Sequence, residues 1–282
     1  MPLLEHSDPL DSRQFFIAVK RLADSLSYGT DRSQMLGQGI EYVQSRPYIQ
    51  GDPVKTIDWR ISARTGVVHV KEYETPKCLP VWFIVDTSSS MTLSSTPISK
   101  YQLAVQLAGG LALTCLDQVS PVGVMGAGSR DLNIKPSLSR DTVMRWLHEL
   151  RHYDFHESTH LGQKLLSLSP TLGDNTLIFV ISDFHDSEAM RAIKRLNQKH
   201  DVIGLILRDP AEDNLSGAGF IRGKEVESGH SFTISAKKEF SDLEEISTAL
   251  KKAAVDHLPI YTNKPILARL RLFLQSRHLL GH

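Results

Sequence analysis

The chain has 282 residues, 41% hydrophobic and 23% charged, enough apolar material for one large domain with an elaboration or for two small ones. Lys and Arg balance Asp and Glu at 32 each, so no broad electropositive field favours nucleic acid, and no helix-turn-helix or RNP-like pattern occurs. Cys78 and Cys115 stand apart without metal-ligand or redox spacing, which suits reduced, packed thiols in a cytoplasmic protein.

Met1 to His6 lack the basic and apolar regions of a secretory leader. Residues 1–36 read as an N-terminal helical segment, with Phe15, Phe16, Val19 and Leu22 or Ala23 sharing one face of a helix over Ser12 to Ser27. Residues 37–78 are punctuated by Gly and rich in strand and turn formers. From 79 to 262 strands and helices alternate. The predicted order is strand Val81 to Val85, helix Lys100 to Gln118, a hairpin of Val122 to Met125 with Leu132 to Lys135, and a helix from Asp141. A helix over Thr159 to Ser167, strand Leu177 to Ile181, helix Ser187 to Lys199 and strand Val202 to Leu207 follow. A hairpin over Gly219 to Ile234 and a helix from Phe240 to about His257 complete the region. Residues 263–282 form a C-terminal helix, with Leu267, Leu270, Phe273 and Leu274 on a side expected to pack on the domain and Arg269, Arg271 and Arg277 interspersed. Alternation of this kind implies an α/β fold with a mainly parallel sheet between helices. The longest apolar helix candidate, Leu103 to Leu116, falls short of the ~20 residues a membrane span needs.

Chemistry concentrates at strand ends. The apolar run Val81-Trp82-Phe83-Ile84-Val85 stops abruptly at Asp86-Thr87-Ser88-Ser89-Ser90, which places a carboxylate and hydroxyls just past the carboxyl end of a buried strand. Leu177 to Ile181 ends in Ser182-Asp183 in the same way, and Thr159 precedes an apolar-periodic stretch. Three loops therefore offer two acids and three hydroxyls: Asp86, Ser88, Ser90, Thr159 and Asp183. Mg²⁺ takes oxygen ligands and is usually held by one or two carboxylates, with neutral oxygens or water filling the remaining positions. Hydroxyl-rich ligation suits Mg²⁺ or Mn²⁺ and leaves the cation able to attract an acidic group from another molecule. A plain Ser-rich turn is the structural alternative for the first loop.

This arrangement resembles the metal-ion-dependent adhesion site of von Willebrand factor A-type domains. Asp86, Ser88 and Ser90 match its first loop, Thr159 its second-loop threonine and Asp183 its third-loop aspartate. The family commonly has Gly before that threonine, where Ser158 stands here. Upstream, Gly51-Asp52, Ile57-Asp58-Trp59 and Ser62-Ala63-Arg64 resemble the signature of the bacterial domain-of-unknown-function family fifty-eight, which carries this segment just before an A-type domain. Lys100 opening a helix and Asp209-Pro210-Ala211-Glu212 after a strand also fit that pattern, as do Gly219 and the turn at Ser228-Gly229. The resemblance implies a Rossmann-like A-type domain and a chaperone-like or assembly role beside a MoxR-type AAA+ ATPase. It further implies a partner protein presenting a carboxylate to a bound metal.

Other readings lead elsewhere. Asp86 could accept a phosphoryl group, with Lys100 and Asp183 completing a metal-assisted phosphatase site, yet Ser88 occupies the position of the usual general-acid aspartate. No P-loop, Gly-x-Ser-x-Gly elbow or His-Glu-x-x-His occurs, and no base is identified for Ser88 or Ser90 as a nucleophile. A metal-independent scaffold is the third alternative, docking through Arg46, Arg60, Arg64, Asp52 and Asp58. The plainer expectation for those charges is fixed ion pairs and caps, and for Trp59 a place in the core. His152, His156 and His160 are spaced for zinc only on a continuous helix, and Asp154 to Thr159 reads as loop. His185 and Asp186 are expected near a helix start, with Asp186 or Ser187 as N-cap.

Overall fold

A computed structural model describes residues 12–27, 41–74, 79–152, 157–173, 175–186, 188–214, 220–224, 231–235, 242–277 and 279. In chain order the elements are α1 (Ser12–Ser27), β1 (Glu41–Pro47), α2 (Trp59–Thr65), β2 (His69–Glu74), β3 (Val81–Val85), α3 (Lys100–Asp117), β4 (Val122–Gly126) and β5 (Asn133–Ser137). They continue with α4 (Arg140–Leu150), α5 (Leu161–Leu168), β6 (Leu177–Ser182), α6 (Ala189–Leu196), β7 (Asp201–Arg208) and α7 (Pro210–Asn214). The last are β8 (Phe220–Lys224), β9 (Ser231–Ser235), α8 (Asp242–Lys252), β10 (Asp256–Tyr261) and α9 (Leu267–Ser276). Gly219 and the turn at Ser228-Gly229 lie outside the described residues, although β8 and β9 do pair antiparallel.

Two units are distinguished: residues 30–78, and residues 1–29 together with 79–282. The larger is built on a six-stranded sheet of order β10-β7-β6-β3-β4-β5, parallel except for the β5 edge. β3 and β6 are buried along their whole length because helices cover both faces, which is why both read as unbroken apolar runs. Strand alternation divides the core. Val81, Phe83 and Val85 face one layer with residues of α1, α3, α4 and α9, while Trp82 and Ile84 face the other with residues of α5, α6 and α8. Phe83 stacks on Phe179 with ring centroids 5.2 Å apart, a pair that contributes about 1 kcal/mol beyond its buried area.

Gly109 and Gly110 let α3 sit close to its neighbours. A Cβ at Gly109 would lie 2.8 Å from Leu147 Cδ2, and one at Gly110 would lie 2.5 Å from Leu22 Cδ2. α9 buries Leu270 and Leu274, and Arg271 donates to the Ser25 carbonyl of α1. Among the described residues no helix is long and apolar enough to cross a membrane.

Two expectations need correction in this unit. The helix read to about His257 stops at Lys252, and residues 256–261 form β10, parallel to β7. Ala254 at φ 56° turns the chain, and Leu258 and Ile260 then alternate inward. Pro259 is tolerated because β10 is an edge strand. The helix expected from Thr159 begins at Leu161, since Thr159 instead bridges to Gly128. Of the helix expected from Ser187, Ala189–Leu196 is α-helical; Ser187 lies outside the described residues.

In the smaller unit β1 pairs antiparallel with β2. Asp58 caps α2, its side chain accepting from the Arg60 and Ile61 amides at 3.1 Å and from Ser45 Oγ at 2.8 Å. Gly66, in the left-handed region at φ 74°, ends that helix. Trp59, expected in a core, is 68% exposed as the first residue of α2, a short helix that buries none of its residues.

Candidate metal centre

The sheet positions the candidate site. From β3 the chain crosses to β4 on one side, and β6 lies on the other side of β3, so β3 and β6 flank the point where strand order reverses. Open α/β sheets leave a crevice at the carboxyl ends of such strands. Asp86 follows β3 and Asp183 follows β6, and the Asp86 amide extends the ladder by donating to the Ile181 carbonyl at 2.9 Å.

Four of the five expected residues are linked directly. The Ser88 amide donates to Asp86 Oδ1 at 3.0 Å, and Ser88 Oγ lies 3.1 Å from Ser90 Oγ. Ser90 Oγ donates to Asp183 Oδ2 at 3.1 Å. Thr159 makes no hydrogen bond to the other four; the residues beside it are held by the backbone, the Ser89 amide donating to the Glu157 carbonyl and the His160 amide to the Ala127 carbonyl, each at 2.8 Å. Its hydroxyl is buried with no hydrogen-bond partner, a deficit that ordinarily costs about 1–3 kcal/mol.

The two carboxylates are buried and electrostatically unlike. Burial, then the charge of Asp183, pushes the Asp86 pKa up to about 6 despite hydrogen bonds from Ser182 and Ser88. Burial would also raise Asp183, but the Lys100 ammonium and the His185 ring hold it well below the usual carboxylate range. Lys100 Nζ lies 2.8 Å from Asp183 Oδ2, and His185 Nδ1 lies 3.0 Å from Asp183 Oδ1. Phe184, next in the chain, is at φ 60°, with its amide donating to Ser182 Oγ at 2.8 Å. A non-Gly residue in that region stores strain, here offset by the surrounding bonds.

This donor set fits a hard divalent cation. It consists wholly of oxygens, one hydroxyl is left without a partner, and burial, then the neighbouring Asp183 charge, pushes the Asp86 carboxylate toward protonation. Among the described residues no three His, Cys, Asp or Glu side chains gather to hold a metal ion, so the cup offers only two carboxylates and any further protein ligands would be hydroxyls. Of the zinc-spaced histidines, His156 lies outside the described residues, as does Asp154. His152 stacks edge-on to His148, and His160 Nε2 contacts Ser158 Oγ at 3.0 Å.

Several supporting residues had escaped sequence reasoning. Glu157 is 3% exposed and ties its own loop to two others: Thr87 Oγ1 donates to its Oε1 at 2.5 Å, the Arg130 amide donates to the same oxygen at 3.0 Å, and Arg130 Nε donates to Oε2 at 2.9 Å. Thr87 Oγ1 in turn accepts from the Gly128 amide at 3.0 Å. A Cβ at Gly128 would lie 2.2 Å from Glu157 Oε1, so only glycine fits there. Ser182 Oγ donates to Asp86 Oδ2 at 2.6 Å. Asp186, by contrast, is expected at a helix start, and it joins two of them, its carboxylate accepting from the Gly162 amide at 2.7 Å and the Glu188 amide at 2.8 Å. Position beside a motif residue, as for Ser182 before Asp183, was the available signal; the reach of Glu157 across three loops left none.

Comparison with known proteins sets the chain among uncharacterized relatives. It is 23% identical over 287 residues to uncharacterized protein Mb1516 of Mycobacterium bovis and to uncharacterized protein Rv1480 of Mycobacterium tuberculosis, covering 96% of this chain and 90% of each relative. The crystal structure of conserved hypothetical protein BatB from Bacteroides thetaiotaomicron aligns with 71% of this chain and 99% of its own at a TM-score of 0.48 and 13% identity. The model of the family described as protein of unknown function DUF58 matches residues 44–253, and the chain belongs to that family.

Proposed function

We propose that this protein is a cytoplasmic, metal-dependent binding adaptor with a von Willebrand factor A-type domain, capturing an acidic side chain on a partner protein. Its client would be assembled or matured together with a MoxR-type AAA+ ATPase, which would supply the mechanical work. The observation that carries this proposal is the direct linkage of Ser88, Ser90 and Asp183, with Asp86 bonded into the same loop, at the sheet's reversal point.

Asp86, Ser88, Ser90, Thr159 and Asp183 would hold Mg²⁺ or Mn²⁺, which would supply an uncancelled positive charge for the partner's carboxylate. Asp86 and Asp183 set the local negative potential. Ser182 and the Ser88 amide orient the Asp86 carboxylate, and Glu157 fixes the first and second loops through Thr87 and its own carbonyl. Both Asp86 oxygens are engaged by these donors, which favours a holding role over nucleophilic attack in a phosphoester hydrolase.

Calorimetric titration with Mg²⁺ and Mn²⁺, alongside capture from the native cell with and without chelator, tests the proposal. Asp86→Ala should leave the melting transition cooperative and abolish both metal uptake and chelator-sensitive capture. Capture that persists in the variant with unchanged Mg²⁺ dependence counts against the adaptor. Metal-dependent phosphoester turnover lost in the same variant would favour the hydrolase. The scaffold alternative, docking through Arg46, Arg60, Arg64, Asp52 and Asp58, requires capture that chelator does not touch.

A further inference from the structure

Lys100 opens α3, where the positive end of the helix dipole disfavours a cation and an exposed lysine would extend its ammonium into water. Here the side chain is buried instead. Its Nζ donates to Asp183 Oδ2 at 2.8 Å and to Glu212 Oε1 at 2.6 Å. The same Asp183 oxygen accepts Ser90 Oγ, so an internal ammonium and a candidate metal-binding hydroxyl share one acceptor. Glu212, on α7, is also paired with Arg208, its Oε2 lying 3.2 Å from Nε. Burial alone would discharge Lys100, but the two carboxylates more than offset it and hold its pKa above the ordinary value.

These contacts set the charge of the cup. Among the groups linked through Lys100, Asp86 and Asp183 bring two negative charges when ionised, Lys100 removes one, and Arg208 is paired with Glu212. A divalent cation would leave a surplus positive charge in a buried setting, where uncompensated charge is costly. One carboxylate from outside restores neutrality.

We propose that Lys100 makes cation and carboxylate binding synergistic, keeping the cation weakly held until an acidic side chain arrives. Glu212 sets the strength of this effect by sharing the ammonium with Asp183. The proposal rests on the adaptor function and specifies its regulation: a site that engages metal and acidic partner together and releases them together.

Electron paramagnetic resonance of Mn²⁺, titrated into the purified full chain at constant ionic strength, provides the test, with acetate as the carboxylate and acetamide as its neutral counterpart. In the wild type, acetate should tighten Mn²⁺ binding and acetamide should not. Lys100→Met should tighten Mn²⁺ alone by about tenfold and erase most of the acetate enhancement, whereas Lys100→Arg should retain the enhancement. Glu212→Gln should act in the opposite direction, weakening Mn²⁺ alone by a few-fold. Opposite shifts from two members of one ion pair do not arise from general misfolding. Equal Mn²⁺ affinity and equal acetate enhancement in the wild type and Lys100→Met would overturn the synergy while leaving the adaptor standing. Absence of Mn²⁺ uptake by wild type and Lys100→Met, with or without acetate, would overturn the adaptor itself.

Discussion

Asp52 and Asp86 both sit in turns beside motif residues, yet their surroundings give them opposite electrostatic characters. In the smaller unit Asp52 faces a guanidinium: Arg46 donates to its two oxygens at 2.7 and 2.8 Å, and the Ile49 amide donates at 2.9 Å. These bonds, led by that of Arg46, bring its pKa down to about 2. In the sheet unit Asp86 is buried among hydroxyls, its nearest charge effect is a second carboxylate, and its pKa rises to about 6. The first carboxylate is already matched by a cation, and the second remains able to accept one. Motif membership therefore says little about function until burial and the counter-charge are known.

The contrast can be broken most forcefully at Gly128. Its substitution by alanine would drive a methyl group into Glu157 and Thr87, and the lost packing and buried hydrogen bonds should cost about 3 kcal/mol. A denaturant-unfolding midpoint within error of the wild type would show that the Glu157 network does not hold the loops.

A pH series sharpens the same comparison with a smaller effect. The Asp86 pKa is raised on folding, so the folded state binds the proton more tightly than the unfolded chain does. Metal-free protein should gain roughly 1–2 kcal/mol as pH falls from 7.5 to 5. The depressed pKa of Asp183 works in the other direction, but that stability is lost only as pH falls below the ordinary carboxylate range. Thermal melts in chelator should rise through this window, and Asp86→Asn should flatten the rise. With saturating Mg²⁺ the trend should reverse, because protons compete for the same carboxylate.

The smallest effect is expected at Trp59. Exposed at the start of α2, it should cost less than about 1 kcal/mol when replaced by alanine, read as the shift in a urea midpoint. A severalfold loss of partner capture with unchanged stability would instead assign the smaller unit a direct docking role.

Much of the sheet unit was legible because its strands are continuous apolar runs and its helices keep their periodicity. Val81–Val85 and Leu177–Ile181 needed no partner to be recognised, and the antiparallel β4–β5 pair followed from two short runs around glycines. β10 was misread because Asp256-His257-Leu258-Pro259-Ile260-Tyr261 follows a helix without an obvious breaker and carries a proline that argues against a strand. Only its edge position beside β7 removes that objection. Trp59 failed for a related reason: residue type predicts average burial, whereas a short helix on a two-stranded sheet offers little core in which to bury a large ring.

Local order in the chain was sufficient to establish the alternation of strands and helices and the types of oxygen at each strand end, since both depend on neighbours a few residues apart. Which of those oxygens face one another depended on contacts across long separations, as between Ser90 and Asp183 or Lys100 and Glu212. Charge behaviour was a tertiary property as well, because it is set by dielectric surroundings and by counter-charges brought together only when the chain folds.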